Sequence, residues 1–255
     1  MSPILRVASY NVHGCRGRDR RRDVARVVRV LQEIDADVIG LQEVESRDGR
    51  SDVDQAEAIA AALGMACVDG PLLHGQRGWY GNALLSRLTV RSVRRVLFAN
   101  HGREARGAIV CDLVAGDATC WRVLTTHLDL QSRHRRHQFE ALLDELVPGR
   151  GQPTVLMGDF NEWPPFSRAL AALRRHAELP PAPATFPSRF PLLRLDRIAY
   201  SACRLHDRVR CHATPLSRRA SDHLPVFADL IAAPQERPAP AAEAPADLLP
   251  ADRVA

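Results

Sequence analysis

The sequence predicts an α+β protein in which two β-sheets pack against each other. Short apolar runs rich in Val and Ile outnumber the stretches with helical spacing, and turn residues rather than helices separate most of them. A doubly wound parallel sheet would instead need a helical crossover after nearly every strand. The length of 255 residues and the apolar fraction of 45% suit a soluble globular protein, and no internal repeat is visible.

A strand–helix–strand unit opens the chain. Leu5–Tyr10 and Val38–Val44 are short apolar runs typical of buried strands, and Asp23–Ile34 places valine and leucine side chains at helical spacing. A second helix is predicted over Val53–Leu63, where Gly64 supplies the residue type that commonly ends a helix. Helices and strands therefore alternate in the first part of the sequence.

The rest of the chain is predicted to consist mainly of strands. Two more helices are expected, at Ser132–Val147 and Ser167–Arg175. The predicted strands are Ala83–Leu85, Val90–Phe98, Ala108–Val114, Trp121–Leu128, Thr154–Met157, Ile198–Ala202, Val209–His212 and Val226–Ile231. The final segment is rich in Pro, Ala, Glu and Asp and has little apolar surface to bury. We therefore predict one folded domain over residues 1–232 and a disordered tail over residues 233–255.

The composition bears on the compartment and the substrate. No stretch approaches the roughly 20 consecutive apolar residues that span a bilayer, and the N-terminus lacks the pattern of a signal peptide, so we expect a cytoplasmic protein. The six cysteines lack zinc-ligand spacing, and free thiols are favoured over a disulfide. All 35 basic residues are arginine, for which a genome of high G+C content is the preferred explanation. The net charge of +5 nevertheless suits a phosphorylated or polyanionic substrate.

Six short motifs place carboxylate, carboxamide and imidazole groups at the ends of predicted strands. They are Ser9–Gly14, Leu41–Val44, Thr126–Asp129, Gly158–Asn161, Leu195–Ile198 and Ser221–Val226. Carboxylate and amide oxygens are the ligands that a hard cation such as Mg²⁺ prefers. Imidazole titrates near neutral pH and can transfer a proton. Together the motifs predict a site that cleaves a phosphate ester with the help of a metal ion.

In this order the six motifs resemble those of the endonuclease/exonuclease/phosphatase superfamily, and the resemblance extends over Arg6–Leu230. It implies a four-layer α/β/β/α sandwich with two packed mixed β-sheets, in agreement with the strand-rich pattern. It also implies a divalent-metal cofactor, Mg²⁺ or Mn²⁺, and hydrolysis of a phosphate ester by in-line attack of water.

The resemblance assigns the metal side of the site to three residues. Glu43 is the principal ligand, Asn11 lies beside it or holds its water, and Asp222 is a further carboxylate on the metal side. A lone glutamate at a strand end is usually a solvated surface charge. Glu43, however, directly follows the apolar run of its strand, so its carboxylate is expected to emerge from the core.

The resemblance assigns the reaction itself to five residues. Asp159 orients or deprotonates the attacking water, and Asn161 forms a hydrogen bond with the phosphate or the nucleophile. His127 contacts the scissile phosphate or protonates the leaving group. His223 acts on a phosphoryl oxygen or as a base, and Asp196 holds its ring in one tautomer.

Asn82 and Arg106 complete the predicted site as substrate-binding residues that face the cleft. Abasic-site endonucleases of the superfamily carry Trp before the first Asn and Thr-Lys after Gln-Glu, whereas this chain has Tyr10 and Val44-Glu45 there. The expected substrate is therefore a phosphodiester in nucleic acid or in a lipid headgroup rather than abasic DNA. A phosphomonoesterase of the inositol-phosphate type and a catalytically inactive binding module of the same fold are the alternatives. We expect a monomer without a transmembrane segment.

Overall fold

A computed structural model describes residues 4–45, 54–75, 78–99, 104–146, 151–164 and 166–233. The predicted tail lies outside these residues except for Ala233, and so do Val53 and Val147 at the ends of two predicted helices. No helix in the described ranges is both long and apolar enough to cross a membrane.

Helices and strands occur in the order that the sequence predicts, with additions. The helices are α1 (Val24–Ile34), α2 (Gln55–Leu63), α3 (Ser132–Leu146), α4 (Arg168–Leu173) and α5 (Ser217–Ala220). The strands are β1 (Ile4–Asn11), β2 (Val38–Glu45), β3 (Ala66–Gly75), β4 (Gly78–Ser86), β5 (Thr89–Leu97), β6 (Gly107–Val114), β7 (Cys120–His127), β8 (Thr154–Asp159), β9 (Asp196–Ser201), β10 (Cys203–Leu205), β11 (Arg210–Cys211) and β12 (Val226–Ala232).

Capping residues explain where α1 and α2 begin and where α2 ends. The side chain of Asp23 accepts a hydrogen bond from the backbone N–H of Arg26 at the start of α1. Asp54 accepts one from the backbone N–H of Glu57 at the start of α2. Gly64 ends α2 in the left-handed conformation, at φ 65°, which glycine adopts without a steric penalty.

The strands form two mixed sheets, as predicted. Within the described residues, a seven-stranded sheet has the order β10-β12-β1-β2-β4-β3, with β11 also pairing with β12, and a five-stranded sheet has the order β5-β6-β7-β8-β9. The pairs β1–β2 and β7–β8 are parallel. Their neighbours β12, β4, β6 and β9 run antiparallel to them.

Three buried clusters fill the spaces between four layers. Val7 and Val123 belong to the central cluster, which both sheets contribute to. Leu31 and Ile59 pack α1 and α2 on the outer face of the seven-stranded sheet, and Phe139 belongs to the cluster that packs α3 and α4 on the five-stranded sheet. The predicted α/β/β/α sandwich is thus confirmed.

The strand β3 is absent from the sequence prediction. It contains Gly70 and Pro71, which are typical of turns, and its pairing with β4 shifts register between Pro71 and Leu73. Among the described strands it lies at the edge of its sheet and pairs only with β4, and proline is tolerated on such a strand. Only the folded arrangement shows that this segment is extended.

Gly40 lies where the two sheets approach each other closely. A Cβ added at this position would lie 2.4 Å from Thr125 Oγ1 and 3.2 Å from Met157 Cε, both on the opposite sheet. We expect Gly40→Ala to lower the free energy of unfolding by about 1–3 kcal/mol, the usual cost of overpacking a core. Urea denaturation measures the change. Gly116→Ala is the control, since nothing lies within 4 Å of its added methyl group; equal losses in the two variants would contradict the packing argument.

Candidate active site

The predicted catalytic and metal-binding residues converge at one edge of the sandwich. The parallel pairs β1–β2 and β7–β8 bring their carboxyl ends there. The antiparallel strands β12 and β9 bring their amino ends to the same edge. By strand, the converging residues are Asn11 (β1), Glu43 (β2), His127 (β7), Asp159 (β8) with Asn161 just after it, Asp196 (β9), and Asp222 and His223 just before β12.

One carboxamide links two carboxylates from different sheets. Asn11 Nδ2 donates to Glu43 Oε1 at 2.9 Å and to Asp159 Oδ2 at 3.1 Å. The backbone N–H of Asn161 donates to the other oxygen of Asp159 at 2.9 Å. Burial raises the pKa of Asp159 to about 6, the charge of His223 opposes that rise, and the nearby Asp196 adds to it. Asp159 is therefore a carboxylate whose proton affinity lies close to neutral pH.

Glu43 reaches the site through a distortion of its strand. Its backbone is left-handed, at φ 57°, and the pairing of β2 with β4 shifts register between Leu41 and Val44. Asn161 is also left-handed, at φ 49°. A left-handed backbone is costly for residues other than glycine, although asparagine tolerates it better than most. Such strain is commonly retained where a side chain must be aimed at a functional site.

His223 is held by a buried carboxylate. Its Nδ1 lies 2.9 Å from Asp196 Oδ2, and Asp196 is fully buried. The ring of Phe186 packs against the imidazole at a centroid distance of 4.9 Å, and His223 Nε2 lies 3.6 Å from Asp159 Oδ2. Burial alone would lower the pKa of His223, but the negative charges of Asp196 and Asp159, with a smaller effect of Asp222, raise it to about 10. The ring is thus an oriented imidazolium.

His127 is the opposite case, a buried neutral imidazole. Burial lowers its pKa well below the ordinary value, and the positive charges of Arg106 and His223 lower it further. Arg106 Nη1 lies 3.1 Å from His127 Nδ1 and Asn161 Nδ2 lies 3.1 Å from His127 Nε2, so an N–H donor faces each ring nitrogen and the neutral ring can accept from one of them. His127 Nε2 also lies 3.6 Å from Asp159 Oδ2. Two imidazoles of different charge therefore flank one carboxylate.

The two predicted substrate-binding residues have different positions. Arg106 is 7% exposed and reaches the site through His127. Asn82 is buried on β4 and donates to the carbonyl of Gly107, at the start of β6, over 3.2 Å. Asn82 thus ties the two sheets together next to Arg106. Its Oδ1 is a buried atom without a hydrogen-bond partner among the described residues.

The structure adds two residues that the predicted set lacks. His13 Nδ1 lies 2.9 Å from Asp222 Oδ2, and this hydrogen bond raises the pKa of His13 despite the opposing effect of burial. The charge of Glu43 raises it further, so His13 lies near both acids. The position of His13 two residues after Asn11 is the one sequence signal for it.

Tyr80 is the second added residue. It is buried near Arg106 and Glu43, and burial raises its pKa. Tyr80 belongs to none of the six motifs.

Two groups of residues have the chemistry to hold a cation. In the first, the carboxylates of Glu43 and Asp159 both accept a hydrogen bond from the amide of Asn11, which carries no charge. A positive ion placed there would balance negative charge that the amide does not balance. The second group consists of Asp159, Asp196 and His223, whose ligand atoms lie within 4.8 Å of one another. In that group, however, Asp196 and His223 already form a hydrogen bond with each other.

Comparisons with known proteins agree with the fold and the motif order. Residues 8–223 match the sequence model of the Endonuclease/Exonuclease/phosphatase family. The chain is 30% identical over 250 residues to the uncharacterized protein YbhP of Escherichia coli (strain K12), with 89% of this chain and 96% of YbhP covered. It is 24% identical over 168 residues to exodeoxyribonuclease III of Haemophilus influenzae, with 62% of this chain and 57% of that enzyme covered. A crystal structure of an endonuclease/exonuclease/phosphatase from Beutenbergia cavernae superimposes with a TM-score of 0.73 at 22% identity, with 90% of this chain and 72% of that chain covered.

Proposed function

Because the chain belongs to the endonuclease/exonuclease/phosphatase family, we propose that it is a divalent-metal-dependent phosphoesterase that hydrolyses a phosphodiester by in-line attack of water. The observation that carries this proposal is the pair of buried imidazoles, one charged and one neutral, on either side of Asp159. Groups whose pKa values are driven apart in one cleft are typical of acid–base catalysis.

The metal ion is assigned to the oxygen donors. Glu43 would hold Mg²⁺ or Mn²⁺, with Asn11 beside it and Asp222 on the same side of the site, because hard divalent ions prefer carboxylate oxygens. The group of Asp159, Asp196 and His223 is less suited, since Asp196 and His223 already form a hydrogen bond with each other. When bound, the ion would neutralise part of the negative charge of the phosphate.

The protein's own residues supply orientation and proton transfer. Asp159, with a pKa near neutrality, orients the water and accepts its proton. The imidazolium of His223 donates to a phosphoryl oxygen, and Asp196 keeps its ring in one tautomer. His127 contacts the phosphate or the leaving oxygen, while Asn161 contacts the phosphate or the nucleophile. These donors are fixed before the substrate binds, which favours electrostatic stabilisation of the transition state.

The acidic character of the site favours a diester over a monoester. Four carboxylates surround the two imidazoles, namely those of Glu43, Asp159, Asp196 and Asp222. A phosphomonoester carries nearly two negative charges at neutral pH, whereas a diester carries one, so the diester meets less repulsion. The relative named exodeoxyribonuclease III supports the same preference, since its name describes cleavage of a nucleic-acid diester.

Hydrolysis of simple nitrophenyl esters tests the proposal. We expect turnover of bis-p-nitrophenyl phosphate with Mg²⁺ or Mn²⁺, little turnover of p-nitrophenyl phosphate, and loss of activity in EDTA. His223→Ala, purified in the same way, is the control for contaminating enzymes and should lose most of the turnover, because its imidazolium is proposed to act on the phosphate. Turnover of the monoester alone would contradict the diester assignment. Inactivity on both esters would favour a binding module.

A further inference from the structure

A pocket lined by three arginines includes Arg197, the residue that follows Asp196 on β9. It has a volume of about 600 Å³. Arg174, Arg194 and Arg197 line it together with Trp163, and most of the remaining wall is apolar, from residues 179–182 and 192–193. None of the described residues that line the pocket is acidic. Guanidinium groups bind phosphate and carboxylate with several hydrogen bonds at once, so the lining is suited to an anion.

In the described part of the chain, no carboxylate forms an ion pair with the three arginines of this pocket. Among the described residues, the one carboxylate that acts on Arg197 besides that of Asp196 is Glu162, and Arg135 Nε already binds that group at 2.9 Å. Arg197 donates instead to the backbone carbonyl of Glu162 at 3.0 Å, and Arg194 donates to the backbone carbonyl of Ala182. Neither of these carbonyl acceptors carries a negative charge.

Arg197 is the residue that a purely structural role explains least well. It is 5% exposed, and its Nε is a buried atom that has no hydrogen-bond partner among the residues described. Burial lowers its pKa to about 10, and the like charges of Arg174 and Arg194 contribute to the decrease. Keeping a buried guanidinium with an unpaired N–H among like charges costs free energy unless a ligand compensates it.

The arginine pocket is connected to the catalytic residues through two short stretches of chain. Arg197 directly follows Asp196 on β9, and Trp163 comes two residues after Asn161. Successive side chains of a strand point to opposite faces, so Arg197 lies on the face of β9 opposite to Asp196. The pocket therefore lies on the other face of β9 from Asp196, one residue further along the chain.

We propose that the arginine pocket is a second anion site, which binds a phosphate group of the substrate other than the one that is hydrolysed. This inference rests on the proposed phosphoesterase function. The pocket brings three guanidinium groups to one cavity, and no carboxylate of the described ranges is paired with them, so a phosphate would supply the missing negative charge. The second phosphate belongs either to a neighbouring nucleotide or to a phosphorylated headgroup, since both present the same anion.

Calorimetry with inorganic phosphate tests the pocket directly. The titration is done in EDTA, so that no metal ion contributes to binding. We expect the unchanged protein to bind phosphate and Arg174→Gln to bind it at least about tenfold more weakly, because a charge-assisted hydrogen bond is lost. Arg174 is chosen because it is exposed and its replacement leaves the core intact. Arg175→Gln is the matched control, since Arg175 is the next residue, equally exposed and outside the pocket.

Kinetics identify the source of the second phosphate. A thymidine dinucleotide with and without a 5′-phosphate, and a glycerophosphoinositol with and without a ring phosphate, form two matched pairs. We expect Arg174→Gln to raise KM about tenfold for the phosphorylated member of one pair. Bis-p-nitrophenyl phosphate, which has no second phosphate, should keep its KM.

The anion site would be contradicted if the unchanged protein, Arg174→Gln and Arg175→Gln all bound phosphate equally. It would also be contradicted if Arg174→Gln had the same KM as the unchanged protein for every member of both substrate pairs. Failure of the proposed function is distinguishable, because it would abolish hydrolysis of every ester while calorimetry still reports on the arginine pocket.

Discussion

Replacing Glu43 by alanine should remove Mg²⁺ binding and phosphoesterase activity together. Its carboxylate is the charged oxygen donor that the proposed metal site depends on, and its only described hydrogen-bond donor is the amide of Asn11. Removing a residue that only forms a hydrogen bond with a metal ligand typically lowers metal affinity or activity by about 10–100-fold. Removing the ligand itself should therefore lower them by more than about 100-fold. Calorimetry with Mg²⁺ and turnover of bis-p-nitrophenyl phosphate measure the two effects.

Glu45→Ala is the matched control for this variant. Glu45 lies two residues further along the same strand, carries the same charge and pairs with Arg22. Its replacement should leave Mg²⁺ binding unchanged. If Glu43→Ala instead bound Mg²⁺ as tightly as the unchanged protein, Glu43 would not be the principal ligand.

His223 and Asp196 should behave as one functional unit. Removing the imidazolium in His223→Ala should reduce turnover by about 10²–10⁴-fold, the usual range for a general acid–base residue. Asp196→Asn should cost less, since the ring remains but is no longer held in one tautomer by the buried carboxylate 2.9 Å away. The double variant should be scarcely slower than His223→Ala, because effects of residues that act together do not add.

A structural role for Asp196 leads to a different result. If this carboxylate merely pins the start of β9, Asp196→Asn should lower the melting temperature and the two losses in turnover should multiply. Turnover of the two single variants and the double variant, measured beside their melting curves, separates the two roles. Multiplied losses would show that the pair does not act as a unit.

The layers of the fold follow from the sequence because they depend on patterns that a linear chain displays. Apolar runs of strand length, helical spacing in α1 and the glycine that ends α2 are local signals. The order of the motifs likewise predicted that Asn11 and His223, although more than 200 residues apart, would share a site. Their catalytic roles stay predictions.

What the sequence did not predict depends on tertiary contacts. The left-handed backbone at Glu43 arises from a register shift against β4, which no residue type in that strand signals. The contact of Arg106 with His127 was not predicted, and the role of Arg106 toward substrate stays a prediction. The edge strand β3 contains turn-forming residues, and its extended conformation comes from pairing with β4. Such features appear only when distant segments meet.

The division of the site between two sheets has a consequence for how the protein unfolds. His127 and Asp159 belong to one sheet and Asn11 to the other, and the hydrogen bonds from Asn11 to Asp159 and from His223 to Asp196 cross the interface between them. Each sheet alone therefore carries only some of the residues of the candidate site. A partly folded species that retains both sheets but has lost their docking would keep its circular dichroism in the far ultraviolet while losing catalysis. Turnover of the proposed ester substrates would thus report on sheet docking in the folding of this protein.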